Sequence, residues 1–142
     1  MKFVDKKGVL LVNLGTPKSA TTEDVRVYLK EFLSDRDVIR IPRLLWLPLL
    51  NFVILRSRPA KSAELYKKVW TEWGSPLLYN TYLQAGLLKK KFECDENEEF
   101  FVDVAMRYGA PSLKSKLLQL VKSGYKKIII LPMFPQYSTT TT

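Results

Sequence analysis

Three short apolar runs, residues 8–14 (GVLLVNL), 100–106 (FFVDVAM) and 128–131 (IIIL), restrict the fold of this chain more than any other feature. Each has the length and the β-branched or aromatic content of a strand, and segments of helical periodicity separate them. Strands that alternate with helices pair in parallel, because the crossover helix carries the chain back to the starting end of the sheet. The expected architecture is an α/β domain, a doubly wound parallel sheet in a three-layer, flavodoxin-like arrangement. The last run is expected to be a central strand buried on both faces. Pro132 and Pro135 end its pairing, and residues 136–142 (QYSTTTT) supply a row of amide and hydroxyl groups. No helix returns from that strand, so the domain, residues 1–142, is expected to be truncated.

The connecting segments carry local signals. Thr21 and Thr22 precede Glu23 and Asp24, an N-cap with an acidic first turn, and Val25, Tyr28, Leu29, Phe32 and Leu33 follow at helical spacing, which predicts a helix over 23–33. Residues 34–37 (SDRD) form a polar turn. Residues 44–55 (LLWLPLLNFVIL) are either a core helix or an exposed lip, since Arg36, Arg40 and Arg43 precede them and Arg56 and Arg58 follow. One face can pack while the other stays exposed. Pro59 opens a long helix with Ala63, Tyr66, Val69 and Trp70 on one face, ending by Gly74. Residues 77–92 form another helix and 93–99 an acidic loop. Ser112 caps a helix over 113–123, with Leu117, Leu118, Leu120 and Val121 as its apolar stripe and Gly124 as its stop.

Composition narrows the function. With 46% hydrophobic residues the chain can bury one core, and a net charge of +9 favours an anionic partner: a polyanion, an anionic membrane surface or an acidic small molecule. No basic stretch is interleaved with aromatics in a binding motif, so no nucleic-acid partner is expected. The lone Cys94 excludes an internal disulfide and an all-cysteine metal site, which suits a reducing cytoplasm. Histidine is absent, which removes the commonest metal ligand and the commonest general base at neutral pH. A membrane-spanning helix needs ~20 apolar residues, more than the run at 44–55 offers.

Three strand ends would aim three loops at one place: residues 14–17 (LGTP), 107–109 (RYG) and 135–138 (PQYS). None is a GxGxxG phosphate fingerprint. Arg107, directly after an apolar strand, is expected to be a cation at the mouth of a site, because a guanidinium there must find a partner or a ligand. Tyr108 and Tyr137 are expected to be packing residues with a wet hydroxyl, and Glu64, Glu72 and Asp103 to be solvated or capped. No pair of carboxylates has a spacing that argues acid/base work.

The motifs GVLLVNLGTP (8–17), VRVYLKEFLSD (25–35), RPAKSAELY (58–66), GSPL (74–77), AMRYGAPS (105–112) and LPMFPQYS (131–138) together resemble ferrochelatase, in order and over essentially the whole chain. The resemblance is to the amino-terminal half of that enzyme, which inserts Fe2+ into a porphyrin to form haem. It implies a chelatase-like fold in which Leu14 faces the macrocycle from the side opposite the catalytic base. Leucine there, where the coproporphyrin-using branch has tyrosine, leans toward protoporphyrin IX. Arg58, with Lys61 beside it, would stand near the entrance, while Tyr66, Ser75 and Arg107 hold or orient the porphyrin and Tyr137 and Ser138 line the closing loop. Trp46, Leu47 and Phe52 would form an apolar entrance lip. Thr139 stands where some members have a cysteine ligand, so no iron–sulfur cluster is expected from this half. The family's catalytic histidine and glutamate belong to a carboxyl-terminal domain that this chain lacks, so it is expected to hold no catalytic residue, metal ligand or cofactor and to be inactive alone, with Fe2+ the substrate of the parent enzyme. The implied partners are the porphyrin, the missing domain and a membrane surface, in the cytoplasm or at its membrane. Two other classes stay open: a non-enzymatic flavodoxin-like module for a nucleotide or phosphate, and a peripheral membrane-surface protein.

Overall fold

The structure, a computed structural model, describes residues 6–93 and 99–136. Its strands are β1 (Lys6–Gly15), β2 (Glu99–Tyr108) and β3 (Lys127–Pro132), all parallel and in the order β2-β1-β3. Val9 sets the register on both sides, opposite Val102 and Ile129. The connection from β1 to β2 runs one way across the sheet and that from β2 to β3 runs back past β1. Right-handed crossovers in opposite directions put their helices on opposite faces. Accordingly, Val9, Leu11, Val104 and Met106 pack with Ala85 of α4 (Pro76–Phe92), and Leu10, Val12 and Ala105 pack with Leu120 of α5 (Leu113–Lys122). The sheet is thus sandwiched as expected. Each fully buried large side chain in these two layers contributes about 1.5–3 kcal/mol.

The sheet corrects one expectation about its third strand. β1 is central, and β3 is an edge strand whose residues are mostly exposed, Ile130 at 46%. Its apolar run satisfies the pattern of a buried strand, but only Ile128 reaches a core cluster, beside Leu120. β2 also runs further than residues 100–106, so Arg107 and Tyr108 belong to the strand and not to the loop after it.

Helix ends follow their local chemistry. The first helix, α1 (Thr22–Ser34), starts with the Thr21 side chain accepting from Asp24 N–H at 3.3 Å, and the Ser112 hydroxyl caps α5 by accepting from Ser115 N–H at 3.2 Å. The segment at 43–69 is one bent helical arm: α2 (Arg43–Leu49), a π-helical turn (Leu50–Ile54) and α3 (Leu55–Val69). Pro59 therefore lies inside a helix that begins at Leu55, not at its start. A proline cannot donate to the carbonyl four residues back. Arg26 Nε donates to that Leu55 carbonyl instead, at 3.1 Å, which explains how the helix passes through Pro59. Both readings of residues 44–55 hold, on different faces: Trp46, Leu50 and Leu55 pack with Leu33, while Leu44, Leu45, Phe52 and Val53 face outward.

Two predicted stripes need adjustment. On α3, Ala63 is buried and Tyr66 half-buried, but Val69 is exposed. On α5 the packed residues are Leu113, Leu117 and Leu120, at i, i+4 and i+7, and Leu118 and Val121 are rotated out to solvent.

Candidate functional site at the strand carboxyl ends

The order β2-β1-β3 reverses direction at β1, so the crevice outside the carboxyl ends of β1 and β3 lies at the switch point where open α/β sheets take their ligands. Leu14 is half-buried at the end of β1, followed by buried Gly15, Thr16 and Pro17. Gly15 has φ of 122°, and a Cβ there would stand 1.9 Å from the Tyr108 carbonyl oxygen, so only glycine lets the ends of β1 and β2 approach this closely. The Thr16 hydroxyl is buried with no hydrogen-bond partner among the described residues. An unpaired buried hydroxyl costs about 1–3 kcal/mol, so this one calls for a water or a ligand as partner. The β3 end is held against β1 by Met133 N–H donating to the Val12 carbonyl at 2.8 Å.

The carboxyl end of β2 is tied by three acidic residues on and just after α1. Tyr108 Oη donates to Asp35 Oδ2 at 2.7 Å, and Gly109 N–H donates to Glu31 Oε2 at 2.9 Å. Arg107 Nη2 donates to Asp37 Oδ2 at 3.1 Å and lies 3.5 Å from Asp35 Oδ2. Asp35 also accepts from the Asp37 N–H at 2.8 Å. That backbone bond, then the Tyr108 phenol, hold the Asp35 carboxyl below its ordinary range. Burial first, and the bond to Asp35 second, push the Tyr108 phenol up to about 12. Arg107 is therefore not a free cation at the mouth; it is an ion-paired strand residue.

An aromatic column braces the same end. Tyr28 donates to the Gly15 carbonyl at 3.2 Å and stacks on Phe32, which meets Tyr108 edge-on at 5.2 Å between centroids. Burial raises the pKa of Tyr28 strongly, with Tyr66 the next contributor. Tyr66, half-buried and edge-on to Trp70, is itself raised by burial. All three phenols are proton donors at neutral pH and none is a base.

The sequence-derived residues separate into groups. Leu14 and Arg107 come together at the ends of adjacent strands, while Tyr66 lies half-buried on α3 against Trp70. Ser75 is buried at the N-cap position of α4, where its side chain makes no cap bond. Arg58 and Lys61 are exposed along α3. The lip divides: Phe52 is exposed with the Arg56 guanidinium over its ring at 5.9 Å and Leu47 is half-buried, but Trp46 is a core residue whose indole N–H donates to the Leu33 carbonyl at 2.7 Å. An indole with a buried acceptor is anchored inward, which removes Trp46 from the lip. Asp103 is partly buried and paired with Lys116, so it is not solvated. Tyr137, Ser138 and Thr139 lie outside the described residues, as does Cys94.

The residues that sequence reasoning missed are Glu31, Asp35 and Asp37. Their local signal is only a polar turn, because the partners they serve are about seventy residues away. Among the described residues no group of three or more acidic, histidine or cysteine side chains could hold a metal ion, and no helix is long and apolar enough to cross a membrane.

A family model described as Ferrochelatase matches residues 6–142. Curated relatives agree. The ferrochelatase of Idiomarina loihiensis is 50% identical over 138 residues, covering 97% of this chain and 38% of the relative. The coproporphyrin III ferrochelatase of Lactococcus lactis subsp. lactis is 53% identical over 136 residues, covering 96% and 42%. The ferrochelatase of Shewanella denitrificans is 51% identical over 143 residues, covering 97% and 42%. The chain thus spans about two fifths of the length of these relatives.

Proposed function

Because the chain belongs to the ferrochelatase family, we propose that it supplies one wall of the porphyrin cleft of an enzyme inserting Fe2+ into protoporphyrin IX. Metallation removes two pyrrole protons and distorts the planar ring toward the incoming ion, so it needs a base and metal ligands on one face and an unreactive wall on the other. This chain has the wall. Leu14 offers an apolar contact at the crevice, Thr16 and Ser75 offer buried hydroxyls, and Tyr66 and Arg107 orient the ring edge. Arg58 stands at the entrance with Leu47 and Phe52 as the lip, and Tyr137 and Ser138 complete the loop after β3. With no histidine in the sequence, the base and metal ligands come from a carboxyl-terminal domain, as the partial coverage of the relatives is consistent with. The observation that carries this reading is the convergence of Leu14 and the buried Gly15–Thr16–Pro17 turn on the switch point of the sheet.

Absorbance titration of the chain with protoporphyrin IX and with coproporphyrin III tests the reading. Protoporphyrin IX is expected to bind more tightly, Leu14→Tyr to reduce that preference, and added Fe2+ under anaerobic conditions to give no metalloporphyrin spectrum. Absence of binding, or metal insertion by the chain alone, overturns it.

The outward face of the helical arm favours a second, compatible reading, a cytoplasmic-side membrane contact. Leu44, Leu45, Phe52 and Val53 are exposed, and residues 38–63 contain five arginines or lysines and no acidic residue. Such a surface suits an anionic bilayer, from which an apolar porphyrin would reach the lip. Co-sedimentation with phosphatidylglycerol vesicles, lost on raising the salt, is the expected result; no sedimentation excludes the contact.

A further inference from the structure

The cation at the β2 end is over-compensated where it stands. Arg107 faces two carboxylates, Asp35 and Asp37, both through Nη2, so the cluster carries net negative charge. While both aspartates stay paired, these three groups offer a ligand carboxylate no net attraction. The two aspartates are not equivalent. Asp35 is fixed by three groups, since it also accepts from the Asp37 N–H and from the Tyr108 phenol. The Asp37 side chain is 66% exposed, and among the described residues its carboxylate pairs with Arg107 alone. One partner is structural and the other is replaceable.

We propose that Asp37 sets the selectivity of this site for the charge of its ligand. Asp37 shares Nη2 with Asp35, and its exposed charge stands where a ligand carboxylate would approach the guanidinium, so an anionic ligand binds by exchange with Asp37 while Asp35 and the Tyr108 ring keep Arg107 in place. The proposal rests on the reading of this crevice as a porphyrin wall, in which a propionate supplies the competing carboxylate. An unremoved Asp37 charge about 6 Å from that propionate weakens binding roughly threefold or more, depending on local screening. Bidentate geometry then favours the ligand that presents both oxygens to the guanidinium.

The test compares the unmodified chain, Asp37→Asn and Asp37→Asn/Arg107→Ala in titrations with protoporphyrin IX and with its dimethyl ester. Asp37→Asn is expected to bind the diacid roughly threefold more tightly and the ester unchanged, and the added Arg107→Ala to abolish the gain. Equal effects on acid and ester, no gain, or a gain that survives the loss of Arg107 overturn the proposal. A second arm needs no porphyrin. The Arg107 Nε–Hε NMR signal, assigned through Arg107→Lys, is followed during a succinate titration. It should move at lower succinate concentration in Asp37→Asn than in the unmodified chain; identical curves overturn the exchange. If neither porphyrin binds but the succinate curves separate, the porphyrin reading fails and the role of Asp37 stands.

Discussion

The two outer strands of the sheet, β2 and β3, flank the same central strand in the same direction, and both are rich in apolar residues, yet they are held in very different ways. In β2, Val104, Ala105 and Met106 are inaccessible to solvent, α4 covers one face, α5 the other, and three acidic side chains tie the carboxyl end. In β3 the residues from Ile129 onward are exposed and the strand depends on its ladder to β1, the Ile128 contact and the Met133 bond. The ladder to β2 runs from Lys6 to Gly15 of β1 and that to β3 only from Lys7 to Val12, and the two sides differ further in cover. What makes an edge strand secure here is the helix packed on it and the side chains that finish it, not its own β-propensity.

The sharpest way to break that comparison is to open β2. Met106 is fully buried between Val9, Leu11 and Ala85, and Met106→Ala removes a large side chain from a packed layer. A loss of about 2–5 kcal/mol in unfolding free energy is expected from urea denaturation. A loss below ~1 kcal/mol would mean that the β2 layer is no better packed than β3.

A smaller effect is expected where the strand is finished. Asp35→Asn weakens two charge-assisted bonds, to Tyr108 and Arg107, and should cost about 1–3 kcal/mol at neutral pH. The sign with pH follows from the depressed carboxyl. Its pKa is lower folded than unfolded, so its contribution is fully present above the unfolded value and fades as pH falls through the folded one. The gap between the unmodified chain and Asp35→Asn should therefore close as pH drops below about 4, the ordinary carboxylate range. A gap that persists into stronger acid would show that the substitution acts through packing and not through charge.

These two strands also mark where sequence reasoning succeeds and where it stops. The α/β class, the parallel pairing and the helix ends are legible because their causes are local: Thr21 with Asp24, Ser112 with Ser115, and Gly124 in the left-handed region at φ 80°. The family was legible as well, from several motifs in a fixed order. The lateral position of a strand has no local cause. Residues 128–131 carry the pattern of a buried strand, and only the rest of the fold decides how much covers them. The site divides in the same way. Leu14 and the Gly15–Thr16 turn sit at a strand end that the apolar run announces, whereas the Asp35–Tyr108 bond joins residues 73 apart in sequence. Trp46 was misplaced for a related reason: an aromatic among leucines looks the same from either side of a helix until its indole N–H finds the Leu33 carbonyl.

The smallest effect is expected on β3, and it is the most informative one. Ile130 is opposite Leu10 in the ladder but 46% exposed, so Ile130→Ala removes a side chain that is already half in water. Burial of half an isoleucine contributes about 1 kcal/mol, and the loss in denaturation should not exceed this. Because the edge is unpaired among the described residues and presents no charge between Lys127 and Pro132, it is also the place where another strand could add. The two situations differ in concentration dependence. A monomer with a bare edge loses the same small amount at every protein concentration. If Ile130→Ala instead costs as much as Met106→Ala, and the cost grows with concentration, then β3 is covered in solution and the contrast between the two edges disappears.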